Sequence, residues 1–202
     1  QAGEKETDFR SFLLKAKAAN PDAIVLSGLV DETVRALKQS YEVGIPKSVA
    51  RVANSVASKV EVPTNAGKAA VGVTYAAAFA ASDKRPIAKK FVKKIKDKYG
   101  VVPGHDFSQM QDLLDMLRPA LEKAQLKFSG NLAADRNQVR DSIASITNFT
   151  GLASGPIGFC AAGSPECRDG NKTPVMIEYT KGGKNWKTKV AGTVTFNPSA
   201  GL

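Results

Sequence analysis

The 202-residue chain is 43% hydrophobic and 24% charged, enough for a substantial buried core in one or two domains. It has no run of about 18 apolar residues, the length a membrane-spanning helix needs, and no basic, apolar, small-residue start that would make Gln1 the head of a signal peptide. The balance is basic, 29 Lys and Arg against 19 Asp and Glu for a net +10, which at first sight suits an anionic partner.

Asp8 is placed to cap a helix whose inner face is Phe9, Phe12, Leu13 and Ala16. Asn20, Pro21 and Asp22 then turn the chain, and Ala23 to Ser27 is a short apolar run suited to a buried parallel strand. Gly28 breaks that run. Asp31 is a plausible N-cap for a helix with Val30, Val34, Leu37 and Tyr41 on one face, ended by Gly44 and Pro46. Helix, strand and helix in this order predict an α/β fold with a doubly wound parallel sheet. Such sheets bind ligands beyond the strand C-termini, here at Ser27, Gly28 and Leu29.

Val49 to Ala53 reads as a second strand, followed by a small polar loop, Ala53 to Ser58, suited equally to a ligand-facing edge and to an ordinary turn. A short helix is expected after Thr64 and a third strand over Val71 to Tyr75, with Ala76 to Ala81 as an alanine-rich exit. Pro86 opens a helix with Ile87, Phe91, Ile95 and Tyr99 as its buried stripe. Eight of the 29 cations fall between Lys84 and Lys98. They read as a solvated helix face, with an anionic-surface, nucleic-acid or protein-partner patch as the other readings. No aromatic residues are interleaved for base stacking, and no nucleic-acid module signature is present.

GVVPGHDF, around Gly100, is a hinge candidate. A helix over Phe107 to Ala124 should turn Met110, Leu113, Leu114, Leu117 and Leu121 inward, with Pro119 kinking or breaking it. Asp135 should open another, with Val139, Ile143 and Ile146 inward. Pro174 to Tyr179 and Trp186 to Val190 read as a hairpin across Lys181 to Asn185, followed by a polar, mobile tail from Ala191.

The chemical inventory disfavours an enzyme. One His, at position 105, removes most triads, and no nucleophile elbow, phosphate loop, dinucleotide fingerprint or metal-binding His pair occurs. No metal and no cofactor is expected, and His105 beside Asp106 reads as a polar loop histidine rather than a proton relay. Cys160 and Cys167, with six residues between them that include Gly163 and Pro165, permit a disulfide, two free thiols being the other reading. Asn148-Phe149-Thr150 and Asn171-Lys172-Thr173 match the short N-glycosylation pattern.

DFRSFLLKAKAANPDAIVLSG, a helix ending YEVGIP, AAVGVTYAAAF, KKFVKKIKDKYGVVP, PALEKAQ, DRNQVRDSIASITNFTGLASGPIGF and YTKGGKNWKT follow one another in order. The set resembles the periplasmic solute-binding proteins of branched-chain amino-acid-type ABC transporters. The resemblance implies a type I periplasmic-binding-protein fold lacking most of its first lobe. Residues 1–101 would be a second-lobe αβ segment, 102–173 a return to the first lobe, and 174–202 a second-lobe hairpin and tail. It further implies a periplasmic receptor that closes around a small molecule and delivers it to a membrane permease, and a compartment in which Cys160 and Cys167 are joined. The missing first-lobe segment, or a second chain, would complete it. The ligand-binding residues implied are Ser27, Gly28, Leu29, Val30, Ala53, Asn54 and Ser55, with Phe107 near a position where the family often sets a ring. Amino-acid binders of the family commonly carry an acidic residue just after the strand matching SVARVA, and Val43 to Val60 contains none. An organic or aromatic acid is therefore expected over leucine, unless Asp31 or Glu32 supplies the charge. A ligand-sensing regulatory or receptor module of the same fold is the alternative.

Overall fold

The computed structural model describes residues 6–124, 126, 128, 130–153, 156–159 and 173–193. The chain divides into two compact units, Gln1–Ser82 with Val175–Gly192 and Asp83–Pro174 with Thr193–Leu202.

The first unit runs α1 (Arg10–Ala18), β1 (Ala23–Leu26), α2 (Val30–Glu42), β2 (Ala50–Ala53), a 3-10 turn (Ser55–Ser58), α3 (Glu61–Ala66), a second 3-10 turn (Gly67–Ala70), β3 (Val73–Ala77), β4 (Val175–Lys181) and β5 (Lys187–Thr193). The sheet order is β1-β2-β3-β4-β5. β1, β2 and β3 are parallel and β4 is antiparallel to β3, so the expected parallel sheet is extended by an antiparallel hairpin. Alternation along the strands sends Ala53, Val73, Tyr75, Ala77, Val175, Ile177 and Tyr179 to one face, where they pack with Val34 and Leu37 of α2 and Val62 and Ala66 of α3. Leu13 of α1 joins Ile45 and Val49 in a smaller cluster that includes Ile24.

Several boundaries differ from the sequence reading, each for a local reason. β1 is an edge strand, and Val25, pointing away from the α2 side, is 73% exposed rather than buried. α3 begins before Thr64 because Pro63 occupies its first turn, where a missing N–H costs nothing. β3 starts two residues late, since Gly72 turns the chain at φ +80° and donates its N–H to the Tyr179 carbonyl at 2.8 Å. Trp186 belongs to the hairpin turn, its N–H bonded to Gly183 O at 3.1 Å, and Ala191–Thr193 are strand rather than tail. Phe12 and Tyr41, expected inward, are 40% and 43% exposed.

The second unit contains α4 (Pro86–Tyr99), α5 (His105–Ala124) and α6 (Leu132–Ala144). α4 buries Ala88, Phe91 and Ile95 but not Ile87 or Tyr99, and Gly100 ends it at φ +71°. α5 starts at His105 and continues through Pro119, which is exposed, so the carbonyl it leaves without a donor has water available. Its buried side is His105, Ser108, Asp112, Ala120 and Ala124, while Met110, Leu113, Leu114 and Leu121 face outward. The polar side is the one held down. The Asp112 carboxylate accepts the N–H groups of Leu152 and Ala153 at 2.7 and 2.8 Å, and Ser142 Oγ of α6 donates to Ala120 O at 2.6 Å. Arg85 Nη2 grips the same loop from another side, donating to Leu152 O at 2.6 Å. α6 starts at Leu132, three residues before the Asp135 start expected, and is capped by Asn131, whose side chain accepts from Ala134 N; Val139, Ile143 and Ile146 are half-buried. Cys160, Cys167, Asn171 and Lys172 lie outside the described residues.

Candidate functional site

The C-terminal ends of β1 and β2 bring the two predicted loops together. β1 stops at Leu26, whose carbonyl accepts the Asn54 N–H at 3.2 Å and carries the ladder one residue past β2. At Gly28 a Cβ would come within 3.1 Å of Glu32 Oε2 and 3.2 Å of Glu32 Cβ, so the close approach of this turn to α2 favours glycine. That carboxylate bends back to accept the Leu29 N–H at 2.6 Å. Glu32, not Asp31, therefore satisfies the exposed donor at the start of α2, the half of a capping box that an acid at this position performs. The Gly28 carbonyl accepts from Asn54 Nδ2 at 3.1 Å and from Thr33 Oγ1 at 3.5 Å, tying the β1 loop, the β2 loop and α2 to one atom.

This contact fixes the sense of Asn54. Reversing its amide would set two carbonyl oxygens against each other, so Nδ2 gives one of its two hydrogens to Gly28, and Oδ1 is buried without a partner. Ser55 opens the 3-10 turn that follows. Ser27, Leu29 and Ser55 are exposed, Gly28, Val30 and Asn54 half-buried. Ala53, also predicted to line the site, is only 4% exposed and belongs to the core, so its side chain is not at the surface. Phe107 belongs to the second unit, 48% exposed on α5, where it lines an apolar groove of about 340 Å³ with Phe91, Ile95, Tyr99, Met110 and Leu114.

Two supports behind the strand ends were missed by sequence reasoning. The Tyr179 hydroxyl donates to the Ala57 carbonyl and so holds the 3-10 turn after Asn54 in place. Tyr179 also meets the Tyr75 ring at 5.3 Å and the Trp186 ring edge-on at 6.2 Å. Burial, the leading cause, pushes the Tyr75 phenol up to about 12 and raises that of Tyr179 too, so both stay neutral donors. The second is Arg51, on the buried face of β2, which donates through Nη2 to Val71 O at 3.0 Å; burial lowers its pKa. A contact spanning 122 residues leaves no local signal for Tyr179, and an arginine within an apolar strand reads as an outward-facing position. Among the described residues no group of three or more His, Cys, Asp or Glu could hold a metal ion, and no helix is long and apolar enough to cross a membrane. The exposed rim of the two loops thus offers neutral hydroxyls and backbone groups.

The family model for periplasmic binding protein matches residues 2–166. No curated protein matches the chain. Among solved structures, the leucine binding protein LivK of Thermotoga maritima is 26% identical with a TM-score of 0.77, over 98% of this chain and 51% of that one. The branched-chain amino acid transporter substrate binding protein LivJ of Streptococcus pneumoniae, in complex with isoleucine, is 22% identical with a TM-score of 0.76, over 96% and 51%. A solute binding protein of an R. palustris ABC transporter, in complex with benzoate, is 17% identical with a TM-score of 0.71, over 95% and 48%. The chain spans about half the length of these structures. Its partly parallel α/β sheet and the match across most of its length give one conclusion: this chain belongs to the periplasmic binding protein family, with part of the type I fold of that family.

Proposed function

We propose that the chain is part of an extracytoplasmic, periplasmic solute receptor that captures a small organic molecule by lobe closure and delivers it to an ABC permease. Ser27 to Val30 and Asn54 to Ser55 form one wall of its site. The observation that carries this reading is the Asn54–Gly28 tie at the strand C-termini, the place where open α/β sheets bind ligands, in a chain of this family. The exposed stripe Met110, Leu114 and Leu121 on α5 is covered by a further lobe or a second chain, without which the 202 residues do not bind solute.

The solute is an organic or aromatic acid, or a similar non-zwitterionic molecule, rather than leucine. Val43 to Val60 carries no acid, and Glu32, one of two neighbouring carboxylates able to meet an ammonium group, is engaged by Leu29 N–H. Asp31 and the other oxygen of Glu32 are the carboxylate groups left for that role on the β1 loop. Asn54 gives one Nδ2 hydrogen to Gly28 O, so the donors left for a ligand oxygen are its second Nδ2 hydrogen, the hydroxyls of Ser27 and Ser55 and backbone N–H groups. Absence of one charge-assisted hydrogen bond weakens an amino-acid ligand by about 1.5 to 3 kcal/mol, roughly ten- to hundredfold. Relatives described with isoleucine and with benzoate make both classes available to the fold. Calorimetric titration of the full-length protein with leucine, valine and a panel of aromatic acids decides the matter. Binding of an acid with leucine at least tenfold weaker is expected; sub-micromolar leucine binding with no response to the acids would refute it.

A further inference from the structure

The lysines of α4 are more concentrated than a solubilising face needs. Residues 84–98 hold eight of the 29 cations and one of the 19 acids, Asp97, which pairs with Lys93 at 2.6 Å. The rest of the chain, 21 cations against 18 acids, is close to neutral. The helix anchors itself through Ala88, Phe91 and Ile95, which leaves Lys90, Lys94 and Lys98 exposed in one row at i, i+4 and i+8, about 6 Å apart along the axis. Ile87, 45% exposed, lies in line with that row near its N-terminal end, and Tyr99, 57% exposed at the C-terminal end, lies about 100° round the helix from Lys98. Lys98 Nζ lies 5.1 Å from the Tyr99 ring centre.

We propose that this face of α4 is a docking surface for an anionic phospholipid bilayer. The charge complementarity is that of a polybasic segment lying along a membrane surface, and an aliphatic and a tyrosine side chain at its two ends fit the headgroup region. The charges are ammonium groups, which meet a fluid, laterally mobile array of phosphates as point charges. A duplex would call for arginine forks, and a single strand for aromatic platforms between the cations, and α4 offers neither in this row. The surface is independent of which solute the protein carries. It would hold the protein near the bilayer, where an importer's receptor has to meet its permease, and would release it as ionic strength rises.

Co-sedimentation with vesicles tests this, using phosphatidylcholine alone and an equal mixture of phosphatidylcholine and phosphatidylglycerol, at low and at physiological salt. The wild-type protein should bind the anionic vesicles only, and lose that binding as salt rises. K90Q/K94Q/K98Q should lower the partition coefficient by about a hundredfold, roughly fivefold per lysine. K181Q/K184Q/K187Q, which removes the same charge from the hairpin, should change it less than threefold. All six positions are exposed, and circular dichroism verifies that both variants remain folded. The proposal is overturned by absence of binding to anionic vesicles at low salt, by equal losses in the two variants, or by tighter binding to a DNA duplex than to the vesicles at the same salt.

Discussion

In the first unit the helical stripe read from the sequence meets a sheet, and Val34 and Leu37 of α2 are 7% and 0% exposed beneath β2 and β3. In the second, α5 carries an apolar stripe of similar spacing, yet Met110, Leu113, Leu114 and Leu121 are 38% to 59% exposed, and the buried side is Ser108, Asp112 and Ala120. The same periodicity has opposite outcomes. Amphipathic spacing identifies a helix and the face that favours burial, but burial itself requires a second layer of matching shape. α2 has that layer within its own unit. α5 is instead fastened by polar contacts on its other side, through Asp112 to the 151–153 loop and through Ser142 to its own backbone.

The largest expected effect separates the two stripes directly. Leu37→Ala should destabilise the chain by about 2–5 kcal/mol in denaturant unfolding, the range for emptying a well-packed core site. Leu114→Ala should stay within about 0.5 kcal/mol in the same chain, as an exposed position does. In the full-length protein, where a covering layer is proposed, Leu114→Ala should approach the cost of Leu37→Ala. Equal costs in the 202-residue chain would mean the α5 stripe is already packed.

Removing the polar fastening should cost less. Asp112→Ala leaves the N–H groups of Leu152 and Ala153 without their acceptors, worth about 1–3 kcal/mol. Hydrogen exchange should show the loss at residues 151–153 and α5 while β1 to β3 keep their protection; uniform loss would show that the fastening serves the whole chain. At the α6 start, Asn131→Ala should cost about 1 kcal/mol by removing the acceptor for Ala134 N–H.

A pH series sharpens the contrast from the first unit. The Tyr75 phenol is raised from 10.0 to about 12, mainly by burial. A raised folded-state value means the stabilisation is complete below about pH 10 and is lost as pH climbs through about 12. Tyr75→Phe should therefore flatten the alkaline fall in stability between pH 10 and 12 and leave the neutral-pH protein almost unchanged. An unaltered alkaline slope would place the cause in another group.

How much was legible follows the same division. Short-range signals held. Gly44 adopts positive φ where a helix was expected to stop and Gly100 where a turn-rich hinge was expected, and the strand-end loops at Ser27 to Val30 and Asn54 to Ser55 do meet. What sequence reasoning could not supply were facts of long-range packing. The exposed side of β1, the polar buried side of α5 and the Tyr179–Ala57 contact each depend on an element distant in the chain. Cap identity failed for a subtler reason. Asp31 and Glu32 are both suitable acids, and only the turn at Gly28 decides which carboxylate reaches Leu29.

The central claim is that the α5 stripe is a core face whose covering layer is supplied by a further lobe or a second chain. Sedimentation velocity of the isolated 202-residue chain, with a hydrophobic dye titrated into the same sample, tests it most directly. Self-association or strong dye binding, reduced when Met110, Leu114 and Leu121 are replaced by glutamine, is the predicted result. A compact monomer that binds no dye would contradict it.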